Sequence, residues 1–162
     1  MTSPDALVER FLAAWSGADI GTELAATCAP DLHYEDPLTL KGPLHGPGAL
    51  TEHVARLRAA APDARLERAG EPLTDGRFVA VPVRLLGTHT AEIESFPPTG
   101  REVSVHGVFY CELDEARTRL WRVRAFFDLY DAAIQLGVLP QPGSAGQRAL
   151  MLLRGFGLRA GM

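Results

Sequence analysis

The stretch EVSVHGVFYCELDEARTRLWRVRAFFD, residues 102–128, decides the fold class of this 162-residue chain. Hydrophobic, aromatic and β-branched residues dominate both of its ends, and a polar link at 114–119 separates them. This pattern predicts two antiparallel strands, 102–113 and 120–128, joined by that link. Upstream, the β-rich segment 77–90 predicts another long strand. The second half of the chain therefore predicts an antiparallel sheet.

The N-terminal third predicts helices instead. Apolar residues recur at helical spacing there, and Pro or Gly marks the ends, which predicts helices at 4–16, 21–29 and 49–61. A brief strand is expected at 32–36, since Pro37 follows it. Helices followed by antiparallel strands indicate an α+β protein, with three helices packed on one face of a curved, mostly antiparallel sheet. Such an arrangement leaves a pocket between the helices and the sheet.

The C-terminal residues fall outside this pattern. Residues 1–140 are predicted to form one domain and 141–162 a C-terminal extension. Within the extension, Ser144 and Gln147 have capping-box spacing before an apolar run, which predicts a short helix. An isolated helix of this length is marginal in water. We therefore expect it to dock on the domain, on a second subunit or over the pocket mouth.

Composition narrows the class of protein. The 16 basic and 20 acidic residues give a net charge of −4, so no nucleic-acid partner is expected. The chain has no apolar run long enough for a membrane span and no secretory pattern at Met1 to Trp15, so we expect no membrane partner and a cytoplasmic location. The two cysteines are far apart and the histidines lack metal-ligand spacing. Neither a disulfide nor a metal site is therefore expected.

Short motifs along the chain point to a family, and their order and spacing are more specific than any single one. They are Tyr34-Glu35-Asp36-Pro37, Pro62-Asp63, Gly87-Thr88-His89, Pro98-Thr99-Gly100-Arg101, and Asp128 followed by Gln135-Leu136-Gly137. Together they resemble the SnoaL-like polyketide cyclases, a family of the ketosteroid-isomerase-like (nuclear-transport-factor-2-like) cone-fold superfamily. The resemblance implies a cone-shaped sheet, a homodimer, a hydrophobic pocket and no cofactor. It also implies ring closure of a polyketide by intramolecular aldol condensation.

The resemblance implies that Asp128 is the general acid/base. Aldol closure needs a proton removed from carbon and one given to oxygen, and a carboxyl group can do both when its pKa is near neutrality. Phe126, Phe127 and Tyr130 would raise the pKa of Asp128 by keeping water away. Arg124 shares a strand face with Asp128 and would oppose this by holding the carboxylate ionised. Capping of the segment after the strand is the alternative role for Asp128.

Further residues are candidates for the pocket. His106, in the preceding strand, would donate to the developing oxyanion or hold the substrate, or it is a half-buried strand histidine. Asp36 resembles the base of ketosteroid isomerases and is a second candidate base, or a turn residue before proline. Those enzymes carry a tyrosine in the first helix where this chain has Phe11, so steroid isomerisation is not expected. The predicted substrate contacts are Tyr34, Asp36, His89, Trp15, Phe11, Tyr110, Arg124 and Phe127. A surface position is the alternative for His89, and packing in the core is the alternative for Trp15 and Tyr110.

Three hypotheses about function come from the sequence. The first is a cofactor-independent cyclase that acts on a hydrophobic polyketide-type intermediate of secondary metabolism. The second is an accessory protein of a hydroxylation or another tailoring step. The third is a protein that binds a small molecule without transforming it.

Overall fold

The computed structural model describes residues 3–155. Within this range the chain forms five helices and seven strands. The helices are α1 (Pro4–Ala14), α2 (Ile20–Thr27), α3 (Gly46–Ala60), α4 (Leu129–Gln135) and α5 (Ala145–Leu153). The strands are β1 (Cys28–Glu35), β2 (Leu44–His45), β3 (Arg65–Arg68), β4 (Leu73–Asp75), β5 (Phe78–Thr88), β6 (Glu102–Leu113) and β7 (Leu120–Phe127). None of these helices is long and apolar enough to cross a membrane.

The seven strands form one sheet with the neighbour order β2-β1-β7-β6-β5-β3, and β4 pairs with the N-terminal part of β5. Every pairing is antiparallel except that of β1 with β7. The sequence-based prediction of an α+β protein with a mostly antiparallel sheet is therefore confirmed. The β6–β7 hairpin, which decided that prediction, occupies nearly the predicted residues.

The two faces of the sheet have different surroundings. Val81, Phe109 and Ala125 are neighbours across β5, β6 and β7, and all three are buried under the helices. One position further along, Val108 and Phe126 point the other way and are exposed. Because side chains alternate along a strand, every residue of these strands belongs to either the inner or the outer face. The hydrophobic core lies between the inner face and helices α1 to α3.

Helix α1 shows why the N-terminal third is helical. Ser3 Oγ accepts a hydrogen bond from the Ala6 N–H over 3.1 Å, and Pro4 occupies the first turn. Both features favour a helix start, because the first N–H groups of a helix have no partner within it. The apolar stripe of α1 faces the core and consists of Leu7, Val8, Phe11 and Leu12.

Two elements begin several residues earlier than predicted. Strand β1 begins at Cys28, earlier than expected, although it contains Pro30. Its pairing with β7 is interrupted between Cys28 and His33, so the missing N–H of Pro30 falls in the interruption of the ladder. Helix α3 begins at Gly46, also earlier than expected, because Pro47 fits the first turn of a helix.

The C-terminal extension contains a short helix, α5, which begins after Ser144 as predicted. Ser144 Oγ accepts from the Gln147 N–H over 3.1 Å and caps the helix. No residue of α5 is buried, and Leu153 is 86% exposed. The expected docking on the domain or over the pocket is therefore wrong for the described part of the chain. Docking on a second subunit, like the homodimer itself, stays a prediction.

Candidate functional site

A cavity of about 340 Å³ lies between the inner face of the sheet and helices α3 and α4. Pockets that hold small molecules usually have volumes of about 300–1,000 Å³. The wall is mostly apolar, with Leu57, Leu85, Ile93, Phe96, Val105 and Phe127 among its residues. Asp36, His89 and Trp15 also line the wall. The cavity therefore combines an apolar surface with a few buried polar groups.

Asp36 follows β1 and is held in one position by a turn. Thr39 donates to the Asp36 carbonyl oxygen twice, from its N–H over 3.1 Å and from its hydroxyl over 2.8 Å. Pro37 favours an extended backbone at the residue before it. The alternation of β1 places Tyr34 and Asp36 on its inner side, as predicted from the sequence. Only 3% of the Asp36 side chain is exposed.

Three donors surround the Asp36 carboxylate. Tyr34 Oη donates to Oδ2 over 2.8 Å, and His53 Nε2 lies 2.7 Å from the same oxygen. The Leu38 N–H donates to Oδ1 over 2.7 Å. Each carboxylate oxygen can accept two hydrogen bonds. Within residues 3–155, Oδ2 is therefore saturated, whereas Oδ1 keeps one acceptor position.

Arg56 identifies the hydrogen position on His53. Its Nη2 lies 3.4 Å from His53 Nδ1, and a guanidinium group can only donate. We therefore assign Nδ1 as an acceptor and Nε2 as the nitrogen whose hydrogen is donated to Asp36. His53 is only 3% exposed, so this contact is shielded from solvent.

The surroundings keep Asp36 charged. Burial disfavours the carboxylate, but the hydrogen bond from His53, followed by those from Tyr34 and Leu38, outweighs it. The pKa of Asp36 is therefore held below its usual value of 3.8. Burial, together with the negative charge of Asp36, raises the pKa of Tyr34. At neutral pH the pair therefore consists of an ionised carboxylate and a neutral phenol donor.

Two further polar atoms on residues that line the cavity lack a partner. His89 Nε2 and Trp15 Nε1 are buried and have no hydrogen-bond partner among residues 3–155. Both are nitrogens that can carry a hydrogen. The residues that line the cavity thus include one acceptor, on Asp36, and two nitrogens that can donate.

The structure places about half of the predicted contact residues at this site. Trp15, Asp36, His89 and Phe127 line the cavity, and Tyr34 holds Asp36. Contact between these residues and a substrate stays a prediction. Phe11 is fully buried in the core instead, with its ring centroid 5.6 Å from that of Phe109, and it does not line the cavity. Its predicted position in the pocket is therefore wrong.

His106, Tyr110 and Arg124 lie on the outer face of the sheet, and all three are exposed. They alternate with the buried residues of β6 and β7, so they cannot face the cavity. Arg124 Nε is 3.5 Å from Glu35 Oε2 instead of pairing with Asp128. The pocket positions predicted for these three residues are therefore wrong.

Asp128 is exposed and does not line the cavity. Its Oδ1 accepts from the Asp131 N–H over 2.9 Å and caps α4. Phe126 and Tyr130, which were expected to keep water away, are 52% and 55% exposed. The predicted apolar surroundings of Asp128 are therefore wrong, because β7 ends at Phe127 and the carboxyl group caps the helix that follows. That Asp128 acts as an acid/base stays a prediction.

Gln135, the other half of that motif, connects α4 to the sheet. Its Oε1 accepts from the Ser104 N–H over 2.8 Å, and its Nε2 donates to the Ser104 carbonyl oxygen over 3.0 Å. The Gln135 side-chain amide thus bonds to the Ser104 backbone as a neighbouring strand would. The spacing of Asp128 and Gln135 thus has a structural explanation: one residue begins α4 and the other fastens its end.

His53 is a site residue that was not predicted from the sequence, where it was considered only as a metal ligand. A signal was present, since Leu50, Val54 and Leu57 mark the buried face of α3 and His53 lies on the same stripe. A histidine on an apolar stripe must find a buried hydrogen-bond partner. That partner is Asp36, 17 residues earlier in the sequence.

The chain is similar to known proteins in both sequence and structure. Residues 8–123 match the family model described as "SnoaL-like domain". A candidate SnoaL-like polyketide cyclase from Jannaschia sp. CCS1 superimposes with a TM-score of 0.74 at 19% identity, covering 85% of this chain and 93% of that one. IdmH, a candidate polyketide cyclase from Streptomyces antibioticus, gives 0.71 at 21% identity, covering 83% and 99%.

AclR from Streptomyces galilaeus, described as a candidate hydroxylase, also gives a TM-score of 0.71, at 20% identity, covering 94% of this chain and 92% of its own. No similar sequence was found among proteins with curated descriptions. At these identities the structural matches show a shared fold, and one fold can support several activities. They confirm the predicted cone-shaped α+β architecture.

Proposed function

Because the chain belongs to the SnoaL-like domain family, we propose that it closes a ring in a hydrophobic polyketide-type intermediate without a cofactor, and that Asp36 moves the proton. One observation carries this proposal. Asp36 is a buried, ionised carboxylate on the wall of an apolar cavity, and one acceptor position on its Oδ1 is not used by residues 3–155.

The reaction needs only the transfer of one proton in each direction. Asp36 Oδ1 takes a proton from a carbon that lies between two carbonyl groups, and an enolate forms. The enolate carbon bonds to a second carbonyl carbon, whose oxygen becomes an alkoxide. Asp36 then returns its proton to that oxygen, so the carboxylate is regenerated and no other reagent is consumed.

The lowered pKa of Asp36 sets a requirement on the substrate. A carboxylate with a low pKa is a weak base, and general-base catalysis is efficient only when the proton is acidic enough to be transferred. Carbon between two carbonyl groups meets this condition, whereas carbon beside one isolated carbonyl is much less acidic. Polyketide-type intermediates contain such carbons. Tyr34 and His53 hold the carboxylate through Oδ2, and the Oδ1 position that Leu38 does not occupy is left for the substrate.

A substrate mimic tests the role of Asp36. Benzoylacetone carries a methylene group between two carbonyls, and exchange of its protons for deuterium is followed by NMR. The wild type is expected to accelerate the exchange, and Asp36→Asn to lower this acceleration by about 100-fold or more. Asp128→Asn is the matched variant, with an exposed carboxyl group outside the cavity, and it is expected to leave the rate unchanged.

Other outcomes contradict the proposal in different ways. A large loss in Asp128→Asn with none in Asp36→Asn would assign the proton transfer to Asp128. Full exchange activity in both folded variants would exclude either carboxylate as the base. Binding of benzoylacetone without any acceleration by the wild type would favour a protein that only binds small molecules.

An accessory function in a hydroxylation step is the second candidate, because AclR shares the fold and is described as a candidate hydroxylase. Product analysis with and without an added reductant separates the two functions. Ring closure leaves the oxidation state of the intermediate unchanged, so a cyclase gives the same product in both reactions. A product that gains oxygen only with the reductant would favour the accessory function.

A further inference from the structure

His89 is held rigidly although it follows the end of a strand. Its N–H donates to the Arg101 carbonyl oxygen over 3.0 Å, and its carbonyl oxygen accepts from the Gly100 N–H over 2.8 Å. The imidazole ring stacks on Phe96, with ring centroids 5.5 Å apart and planes inclined by 10°. Only 6% of the residue is exposed. The ring therefore has a fixed position in the wall of the cavity.

The neighbouring loop determines which ring nitrogen carries the hydrogen. The Thr99 N–H donates to His89 Nδ1 over 3.3 Å. A nitrogen that accepts a hydrogen bond has no hydrogen of its own, so in the neutral ring the hydrogen is on Nε2. That atom is buried and has no acceptor within residues 3–155. Buried donors in native proteins nearly always have a partner, so this one calls for an explanation.

We infer that His89 is a specificity residue, whose Nε2–H donates to a carbonyl oxygen of the ligand in the cavity. The inference rests on the proposed function, since it takes the cavity to be the substrate site. It adds that the site distinguishes an oxygenated ring system from a hydrocarbon of the same shape. A ligand without an oxygen at this point leaves the donor unpaired, and that lack is a strong source of discrimination in binding sites.

His89 and Asp36 complement each other chemically. The two residues follow β5 and β1, which are three strands apart in the sheet order, and both line the same cavity. Neighbouring strands are about 4.8 Å apart, so this separation is roughly 14 Å along the sheet and less across its concave side. A ligand that contacts both residues therefore extends over more than one ring. It presents an acidic carbon to Asp36 and a carbonyl oxygen to His89.

The test uses fluorene and fluorenone, two planar three-ring probes that differ by one carbonyl oxygen. Dissociation constants for both are measured by calorimetry with the wild type and with His89→Phe. The phenyl ring keeps the stacking on Phe96 but has no donor. The ratio of the two dissociation constants cancels the contribution of the shared ring system, as in a double-mutant cycle. We expect the wild type to prefer fluorenone, and the preference to fall by about 5- to 100-fold in His89→Phe.

Two further variants sharpen the result. His89→Gln retains an N–H donor on a side chain of similar reach and is expected to restore part of the preference. His45→Phe changes an exposed histidine that does not line the cavity and is expected to leave the preference unchanged. If His89→Phe does not fold, the wild type alone decides. Fluorenone, and not fluorene, is then expected to shift the Nε2–H signal of His89 in long-range proton–nitrogen NMR spectra.

The possible outcomes distinguish a failure of the His89 inference from a failure of the proposed function. An equal preference in the wild type and His89→Phe, or an Nε2–H signal that responds equally to both probes, would overturn the specificity role and leave the role of Asp36 untouched. Failure of both probes to bind the wild type would overturn the ligand cavity itself, and with it the proposed function. A changed preference together with no catalysed deuterium exchange would retain His89 and reject the cyclase.

Discussion

Replacing Tyr34 by Phe removes one hydroxyl group from the centre of the site. The phenol donates to Asp36 Oδ2 over 2.8 Å, and the residue is fully buried. A hydrogen bond to a charged group contributes about 1.5–3 kcal/mol, and the phenyl ring preserves the packing of the core. We expect the free energy of unfolding at pH 7 to fall by about 2 kcal/mol. For a chain of this length, that change lowers the melting temperature by about 4–8 °C.

The same substitution should change the response of stability to acid. The Tyr34 hydroxyl is one of the groups that lower the pKa of Asp36 from 3.8. A carboxyl group whose pKa is lower in the folded than in the unfolded chain contributes stability above the unfolded value. That contribution is lost as the pH falls through the folded pKa. Tyr34→Phe brings the folded pKa back towards the unfolded value, so the difference between the two proteins should shrink below about pH 4.

Urea unfolding followed by tryptophan fluorescence at pH 7 and pH 3 measures both effects. Tyr130→Phe is the matched control, because Tyr130 is 55% exposed, and its effect should stay within about 0.5 kcal/mol. A loss in Tyr34→Phe no larger than that of the control would refute the hydrogen bond to an ionised Asp36. An equal loss at both pH values would retain the hydrogen bond but contradict a titration of Asp36 between pH 7 and pH 3.

Two pairs of substitutions test the packing of the sheet and the start of α3, and thermal and urea unfolding measure both pairs. Phe109→Ala should cost about 3–5 kcal/mol, since this ring is fully buried, whereas Phe126→Ala, on the exposed outer face, should cost less than about 1 kcal/mol. Similar costs for the two would contradict the assignment of faces. Gly107→Ala should cost about 1–3 kcal/mol, because its Cβ would lie 2.5 Å from Phe127 Cδ1. Gly48→Ala in α3, with nothing within 4 Å, should stabilise the protein by about 0.5–1 kcal/mol, and a loss there would show that α3 starts later.

Strand periodicity made much of the fold predictable, because the side chains of β6 and β7 alternate between a buried and an exposed face. The same periodicity placed Tyr34 and Asp36 together on the inner side of β1. It is reliable only inside a strand, although Asp36, one residue past the end of β1, still follows it. Asp128 stands just after β7, where the backbone turns into α4, so alternation no longer decides where its side chain points.

The rest of the site depends on contacts between distant residues. His53 and Asp36 meet because α3 crosses the end of β1, and local patterns do not specify that crossing. The spacing of Asp128 and Gln135 is also the same whether these residues act in catalysis or hold the two ends of α4 in place. The bonds of Gln135 to Ser104 became visible only once β6 and α4 were placed side by side.

The parallel pairing of β1 with β7 has a consequence for how the protein is made. Within residues 3–155, β1 otherwise pairs only with the two-residue β2, so most of its backbone partners come from residues 120–124. During synthesis on the ribosome, the segment that positions Asp36 must therefore wait until more than 80 further residues have been added. Contacts between such remote parts of a chain form slowly, because a long loop must close first. A nascent chain that stalls before β7 emerges would expose an unpaired edge of β1 to the aggregation that chaperones prevent.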